Sequence, residues 1–243
     1  ENSLLRDFFN DARPSGHADQ SDGTGVRGAT ACRRRGAWLD AEFGASRAVF
    51  FYLQELKKWN RQINLTGSAD DEFVIRQHFV DSLSCACSPV LSPRARLLDI
   101  GAGAGFPGLP LKLYFPEISV TTVDAVTKKI MFLRQLCRGL KLQQVACVAA
   151  RLGEASEAAA PRAAFDVIVS RAVGDLPYLT ALARPYLAPG GHLLLQRGQQ
   201  CPQEIQACRA LFETQGVAVV DMQTVRLSFL EHPRYLLAIG FQK

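Results

Sequence analysis

Between Arg96 and Gly108 the chain reads Arg-Leu-Leu-Asp-Ile-Gly-Ala-Gly-Ala-Gly-Phe-Pro-Gly, and few folds can use such a stretch. Its apolar start predicts a short buried strand over 96–100. Four glycines in the eight positions 101–108 let the backbone turn tightly and approach a ligand with no Cβ in the way. The apolar run Leu109 to Tyr114 predicts a helix over 107–115. Pro107 suits its first turn, where a missing N–H costs nothing, and Pro116 should stop it after about three turns. Strand, glycine loop and helix together predict a nucleotide-type ligand site.

Two cofactors use such a loop. A dinucleotide needs backbone amides for its pyrophosphate, with glycines spaced G-x-G-x-x-G directly after the strand. Counted from Gly101 the sixth position is Phe106, which breaks that spacing; counted from Gly103 it fits, but the loop then starts two residues late and contains Pro107. The other pattern is an acid followed by alternate glycines, here Asp99, Gly101, Gly103 and Gly105. It resembles motif I of the S-adenosylmethionine methyltransferases. That cofactor ends in a zwitterion, so an acid beside the loop can face its ammonium while backbone amides meet its carboxylate.

A chain of 243 residues can bury one sizeable α/β core plus an appendage, and 48% apolar content excludes wholesale disorder. A net charge of +5 permits nucleic acid without demanding it. The seven cysteines are scattered and form no C-x-x-C pair, so neither a zinc site nor a disulfide framework is expected. Reduced thiols in a cytoplasmic protein are the simpler expectation. No apolar run reaches membrane-spanning length, and the start lacks a basic segment leading into an apolar one.

Residues 1–44 are rich in Gly, Ser, Asp and Arg, which predicts a mostly flexible segment. From Ser46, Val49, Tyr52, Leu53, Leu56 and Trp59 recur at helical spacing. A second helix is expected from an N-cap at Asp70 or Asp71 through Leu83, so residues 45–92 read as a small helical N-terminal subdomain. Residues 93–243 read as the ligand-binding domain. There strands at 96–100, 119–123, 145–148, 166–170 and 192–196 alternate with helices at 107–115, 126–140 and 176–187. Such alternation predicts a doubly wound parallel sheet with right-handed crossovers. After a helix at 203–214, strands at 217–225 and 234–241 predict a terminal antiparallel hairpin, giving a Rossmann-like, mostly parallel seven-stranded sheet whose last strand is antiparallel.

Ligands of doubly wound sheets bind at the carboxyl ends of the strands. That rule selects the glycine loop, then Asp124 after the second strand, where an acid can accept from both ribose hydroxyls. It also selects Arg151-Leu152-Gly153-Glu154 beside the adenine edge and Ser170-Arg171-Ala172-Val173 as the pocket floor.

Several stretches resemble the RsmG (GidB) family of bacterial 16S ribosomal RNA guanine-N7 methyltransferases. They are Lys58-Trp59-Asn60-Arg61-Gln62-Ile63-Asn64-Leu65-Thr66, Arg76-Gln77-His78-Phe79-Val80-Asp81-Ser82-Leu83, the glycine loop, Phe132-Leu133-Arg134 and Phe165-Asp166-Val167-Ile168-Val169-Ser170-Arg171-Ala172. The resemblance covers roughly residues 46–243. It implies a class I methyltransferase fold and S-adenosylmethionine as cofactor. It implies a 16S rRNA or small-subunit particle as partner, and cofactor contacts at Gly101, Phe106, Asp124, Leu152, Gly153 and Arg171. Three features depart from the family pattern: Gly153 precedes Glu154 in the third loop, Arg197-Gly198 stands where Lys-Gly is usual, and residues 1–44 do not resemble the usual amino-terminal helix.

Guanine N7 carries a free lone pair and can attack a sulfonium methyl without a general base, so alignment and desolvation suffice. The strand-four loop fits, since it lacks the Asp/Asn-Pro-Pro-Tyr/Phe motif of enzymes that act on exocyclic base amines. Arg171 is accordingly expected to align the reactants, with Asp99, Gly103, Gly105 and Glu154 completing the cofactor site and no metal required. RNA contacts are expected at Lys58, Arg61, His78, Arg134, Arg138 and Arg197, with Lys128 and Lys129 on the same basic helix. The chain is expected to act as a monomer away from membranes. Three other readings stay open: a methyltransferase for another RNA, protein or small molecule; an NAD(P)-dependent oxidoreductase; and a non-catalytic RNA-binding module.

Overall fold

Leu97 and Leu98 point to opposite faces of a strand and are both fully buried, because strand β1 (Arg96–Ile100) has helices on either side of it. The computed structural model describes residues 38–153, 160–171, 174–227 and 229–242. β1 pairs in parallel with β2 (Ser119–Asp124) and β4 (Phe165–Arg171), and β2 with β3 (Val145–Ala149). On the other side β4 pairs in parallel with β5 (Leu187–Arg197). β6 (Val217–Val225) and β7 (Arg234–Phe241) form the expected hairpin, and β7 inserts antiparallel between β5 and β6. The order β3-β2-β1-β4-β5-β7-β6 is a seven-stranded, mostly parallel sheet as the alternation predicts.

The helical segment departs from expectation in informative ways. Helix α1 spans Trp38–Asn60 and so crosses the expected boundary at residue 44. The remaining residues of the segment expected to be flexible, 1–37, lie outside the described ones. α2 (Asp71–Val74) starts where predicted, with Asp70 accepting from the Phe73 amide at 2.8 Å. The run does not continue as one helix. It opens into a π-helical stretch at Ile75–Val80, returns to α at α3 (Asp81–Leu83) and tightens to a 3-10 turn at Ser84–Cys87.

α4 (Gly108–Tyr114) is shorter than expected, ending before Phe115, whose backbone is pushed out of the helical region by the proline that follows. α5 (Thr127–Gly139), α6 (Leu176–Ala183) and α7 (Cys201–Gln215) lie close to their predicted places. One sheet face packs Leu98, Ile168, Leu193 and Leu195 against Leu176, Leu179 and Phe212. Tyr52 of α1 packs with Phe79, Phe106, Phe132 and Leu133 in a second cluster, so the helical segment sits directly on the glycine loop. Among the described residues no helix is long and apolar enough to cross a membrane, and no group of His, Cys, Asp and Glu could hold a metal.

Candidate active site

The three alternate glycines all adopt left-handed backbone, with φ of 71° at Gly101, 57° at Gly103 and 96° at Gly105. The reason for a glycine differs between them. A Cβ at Gly105 would strike the Tyr52 hydroxyl, Leu109 and Leu133, so that position is closed by the core. A Cβ at Gly103 would meet only the Gly101 carbonyl, at 3.9 Å, so this stretch of backbone borders open space. Gly101 and Gly103 are accessible, whereas Gly105 and Phe106 are buried.

Loop amides are largely committed within the protein. Those of Gly101 and Ala102 donate to Val123 O at 2.9 and 3.1 Å, and those of Gly105 and Phe106 to Ala102 O. The Gly103 amide donates to Asp124 Oδ2 at 2.9 Å, and Val126 N donates to Asp124 Oδ1 at 2.8 Å. Asp124 therefore stands at the end of β2 as expected, fixed by two backbone donors, with further lone pairs to offer. The loop's use to a ligand is thus close approach and this oriented carboxylate, more than a row of unpaired amides.

Asp99 is fully buried beneath the loop. Its Oδ2 accepts from Gly108 N at 2.9 Å, which ties the end of β1 to the start of α4, while Oδ1 has no partner. Burial pushes this carboxyl up to about 7, against the pull of the Gly108 bond and of Arg171. A buried acceptor with an unused oxygen suits a cationic group placed beside it.

Phe106 is enclosed. Tyr52 stacks on it at 5.5 Å and 9°, and His78 at 5.0 Å and 20°. The Arg171 guanidinium lies 5.3 Å from the ring centre. The Phe106 ring is thus packed among its neighbours and orders them.

Arg171 ends β4 and reaches into the helical segment. In an α-helix the Asp81 amide would pair with Gln77 O; in the π-helical stretch it turns to Arg76 O and His78 O. Gln77 O is left to accept from Arg171 Nη1 at 3.2 Å. Nη1 also reaches Asp81 Oδ2 at 3.3 Å, and Nη2 lies 3.0 Å from His78 Nδ1. A guanidinium only donates, so Nδ1 accepts and the imidazole proton sits on Nε2. Burial, then the Arg171 charge, drive the His78 pKa down to about 4, leaving the ring neutral. Sequence reasoning placed Arg171 and His78 in the site separately, but the contact between them follows from the π turn, which no residue spacing announces.

Leu152 is buried in the sheet core, and Gly153 is exposed with φ 86°. Glu154, with Ala172 and Val173, lies outside the described residues. Lys58, Arg61 and Arg138 are exposed. Arg134 Nε and Nη2 donate to Cys147 O in mid-β3, at 3.1 and 2.9 Å. α5 starts at the carboxyl end of β2 and runs away from it, so Arg134 and Arg138 flank the edge strand instead of ringing the loop. Lys128 and Lys129 occupy the near end of α5. Arg197 donates to Gly174 O at 3.2 Å from both Nη atoms and lies 3.5 Å from Glu204. Sequence reasoning gave no role to Tyr52, whose hydroxyl donates to Ala104 O, or to Asp81, Gln196 and Arg234.

The family model described as GidB, rRNA small subunit methyltransferase G, matches residues 46–231. Two relatives of the name ribosomal RNA small subunit methyltransferase G illustrate the similarity. That of Geobacter sulfurreducens is 42% identical over 190 residues, covering 78% of this chain and 86% of the relative. That of Alkaliphilus metalliredigens is 36% identical over 188 residues, covering 77% and 79%. Among solved structures, TYW2 of M. jannaschii in complex with AdoMet superposes with a TM-score of 0.55 at 13% identity, covering 75% of this chain and 80% of that one. At that identity the likeness concerns the fold.

Proposed function

This chain belongs to the GidB family, rRNA small subunit methyltransferase G, and from that premise we propose that it transfers a methyl group from S-adenosylmethionine to N7 of a guanine in 16S rRNA. The observation that carries the reading is the Gly103–Asp124 bond, which joins the open glycine backbone to a carboxylate at the carboxyl edge of the sheet. S-adenosylmethionine suits these residues. Asp124 would accept from its ribose, Gly101 and Gly103 would border its amino-acid end, and the unpartnered oxygen of Asp99 would favour its ammonium. When bound, the cofactor supplies an electrophilic sulfonium methyl. Leu152 and Gly153 would line the adenine side, with Glu154 beyond them.

The protein's share of the chemistry is placement. Guanine N7 needs no proton removed, so a general base has no task, and the His78 Nδ1 lone pair is in any case taken up by Arg171. Arg171, fixed by Gln77 O, Asp81 and His78, would align the base and exclude water at the point where RNA and cofactor meet. Lys58, Arg61, His78, Arg134, Arg138 and Arg197 would supply RNA contacts of graded importance. As domains, we read residues 45–92 as a helical cap, continuous with α1 back to Trp38, on a methyltransferase domain at 93–243. The test is transfer of label from S-adenosylmethionine into small-subunit particles. Label removable by ribonuclease supports the reading, and label removable only by protease overturns it.

A further inference from the structure

At the carboxyl ends of β4 and β5, where antiparallel β7 begins, Arg171 belongs to a charge cluster whose other arginine the proposed transfer does not employ. Asp81, its side chain 2% exposed, holds two arginines from different strands. Its Oδ2 accepts from Arg171 Nη1 at 3.3 Å, and its Oδ1 accepts from Arg234 Nε at 2.9 Å. Gln196, buried in β5, donates from Nε2 to Asp81 O and Ser84 Oγ and so fixes the backbone that carries the carboxylate. One carboxylate between two guanidiniums leaves one positive charge in excess.

The two arginines are not equivalent. Arg171 spends both Nη atoms on Gln77, Asp81 and His78, and its side chain is 19% exposed. Arg234 is held through Nε, its side chain is 30% exposed, and its Nη groups have no partner among the described residues. Register places them together. Arg171 pairs with Gln196 on β5, and the next residue of β5, Arg197, pairs with Tyr235, so Arg234 enters β7 just past the end of β5. The β6–β7 loop before it is anchored, with Leu227 and Leu230 in the helical core and the Phe229 ring 5.9 Å from the Arg76 guanidinium.

We propose that Arg234 is a substrate-binding residue whose guanidinium, fixed at Nε by Asp81, seats a backbone phosphate of the RNA beside the target guanine. This rests on the reading of the chain as an rRNA methyltransferase. A planar fork with its Nη pair unspent fits two phosphate oxygens, whereas the ammonium of a surface lysine acts as a point charge. Holding the side chain through Nε before the ligand arrives also reduces the ordering cost of binding. Burying Asp81 between two cations follows the same logic. The carboxylate is neutralised by Arg171, and Arg234 brings the surplus charge to the surface.

The test compares wild type, Arg234→Gln and Arg234→Lys in binding a labelled 16S rRNA fragment over a range of salt. Calorimetry with S-adenosylhomocysteine and thermal melting accompany it. Arg234→Gln should weaken RNA binding by about tenfold, the scale of one charged hydrogen-bonded contact. It should also reduce the log–log salt slope by roughly 0.7 to 0.9, the value of one phosphate. Arg234→Lys should keep the salt slope but not the full affinity. Homocysteine-product affinity should match wild type, and the loss in turnover should fall on KM for RNA more than on kcat. Wild-type RNA affinity and slope in Arg234→Gln would overturn the proposal. So would a loss of RNA binding matched by equal losses in cofactor-product binding and melting temperature, which would make Arg234 a structural clamp. Failure of the wild type to methylate any RNA would instead overturn the assigned reaction, while the salt slopes would still decide the phosphate seat.

Discussion

Gly103 donates its amide to Asp124 Oδ2 at 2.9 Å, and this bond sets the angle between the glycine loop and the acid at the end of β2. Replacing Asp124 by Ala should weaken S-adenosylhomocysteine binding by about 1–3 kcal/mol, since it removes a ligand acceptor and leaves two backbone donors unpaired. Asn, which keeps one acceptor oxygen, should fall between. Titration calorimetry checks both, and unchanged affinity in the Ala variant would remove Asp124 from the site.

Gly108 is closed for a steric reason that positive φ does not supply. A Cβ there would lie 2.7 Å from Asp99 Oδ2 and 3.0 Å from Asp99 Cβ, in a fully buried junction. Gly108→Ala should therefore cost about 1–3 kcal/mol, lowering the melting temperature by several degrees. Gly67→Ala has nothing within 4 Å and serves as the control, with a change of less than about 1 kcal/mol.

His78 and Asp99 should oppose each other in the pH dependence of stability. The folded pKa of His78 is depressed from 6.5 to about 4, so its contribution is present above 6.5 and lost as pH falls toward 4. That of Asp99 is raised from 3.8 to about 7, so its contribution is present below 3.8 and lost as pH rises through 7. Relative to wild type, urea unfolding of His78→Gln should show stability falling as pH rises from about 4 to about 7, and Asp99→Asn should show it rising over the same window. Parallel profiles in both variants would contradict the assignment. A cofactor ammonium beside Asp99 favours its charged form, so cofactor binding should tighten as pH rises through about 7, a dependence that Asp99→Asn removes.

Along α5 the two ends should differ in what they do to RNA. Charge reversal at Lys128 and Lys129, near the loop, should weaken 16S rRNA binding more than reversal at Arg134 and Arg138, which lie alongside β3. Neither pair should alter S-adenosylhomocysteine binding. Equal effects at both ends would mean that RNA runs along the whole helix.

Much of this arrangement was legible in the sequence because it is local. Alternation of strand-like and helix-like runs placed the seven strands, the acid-plus-glycines pattern picked out Asp99 and Gly103, and the rule that ligands bind at strand carboxyl ends picked out Asp124. What sequence could not show was set by packing between distant segments. In the stretch Lys58–Thr66, Asn60 and Trp59 are architectural: Asn60 caps its own turn by accepting from Leu65 and Thr66, and Trp59 packs on Phe132. The π-helical stretch leaves Gln77 O for Arg171, and Asp81 binds Arg171 and Arg234, which lie 90 and 153 residues further along the chain. Such contacts depend on a helical register and a strand order that only the folded chain defines.

The central claim is tested most directly by identifying the nucleoside that receives the methyl group. Small-subunit particles lacking the modification would be incubated with the protein and labelled S-adenosylmethionine, and the 16S rRNA digested to nucleosides. The account predicts label in 7-methylguanosine, abolished by Asp124→Ala and sharply reduced by Arg171→Ala. Label in any other nucleoside, or full 7-methylguanosine formation by the Asp124→Ala variant, would contradict it.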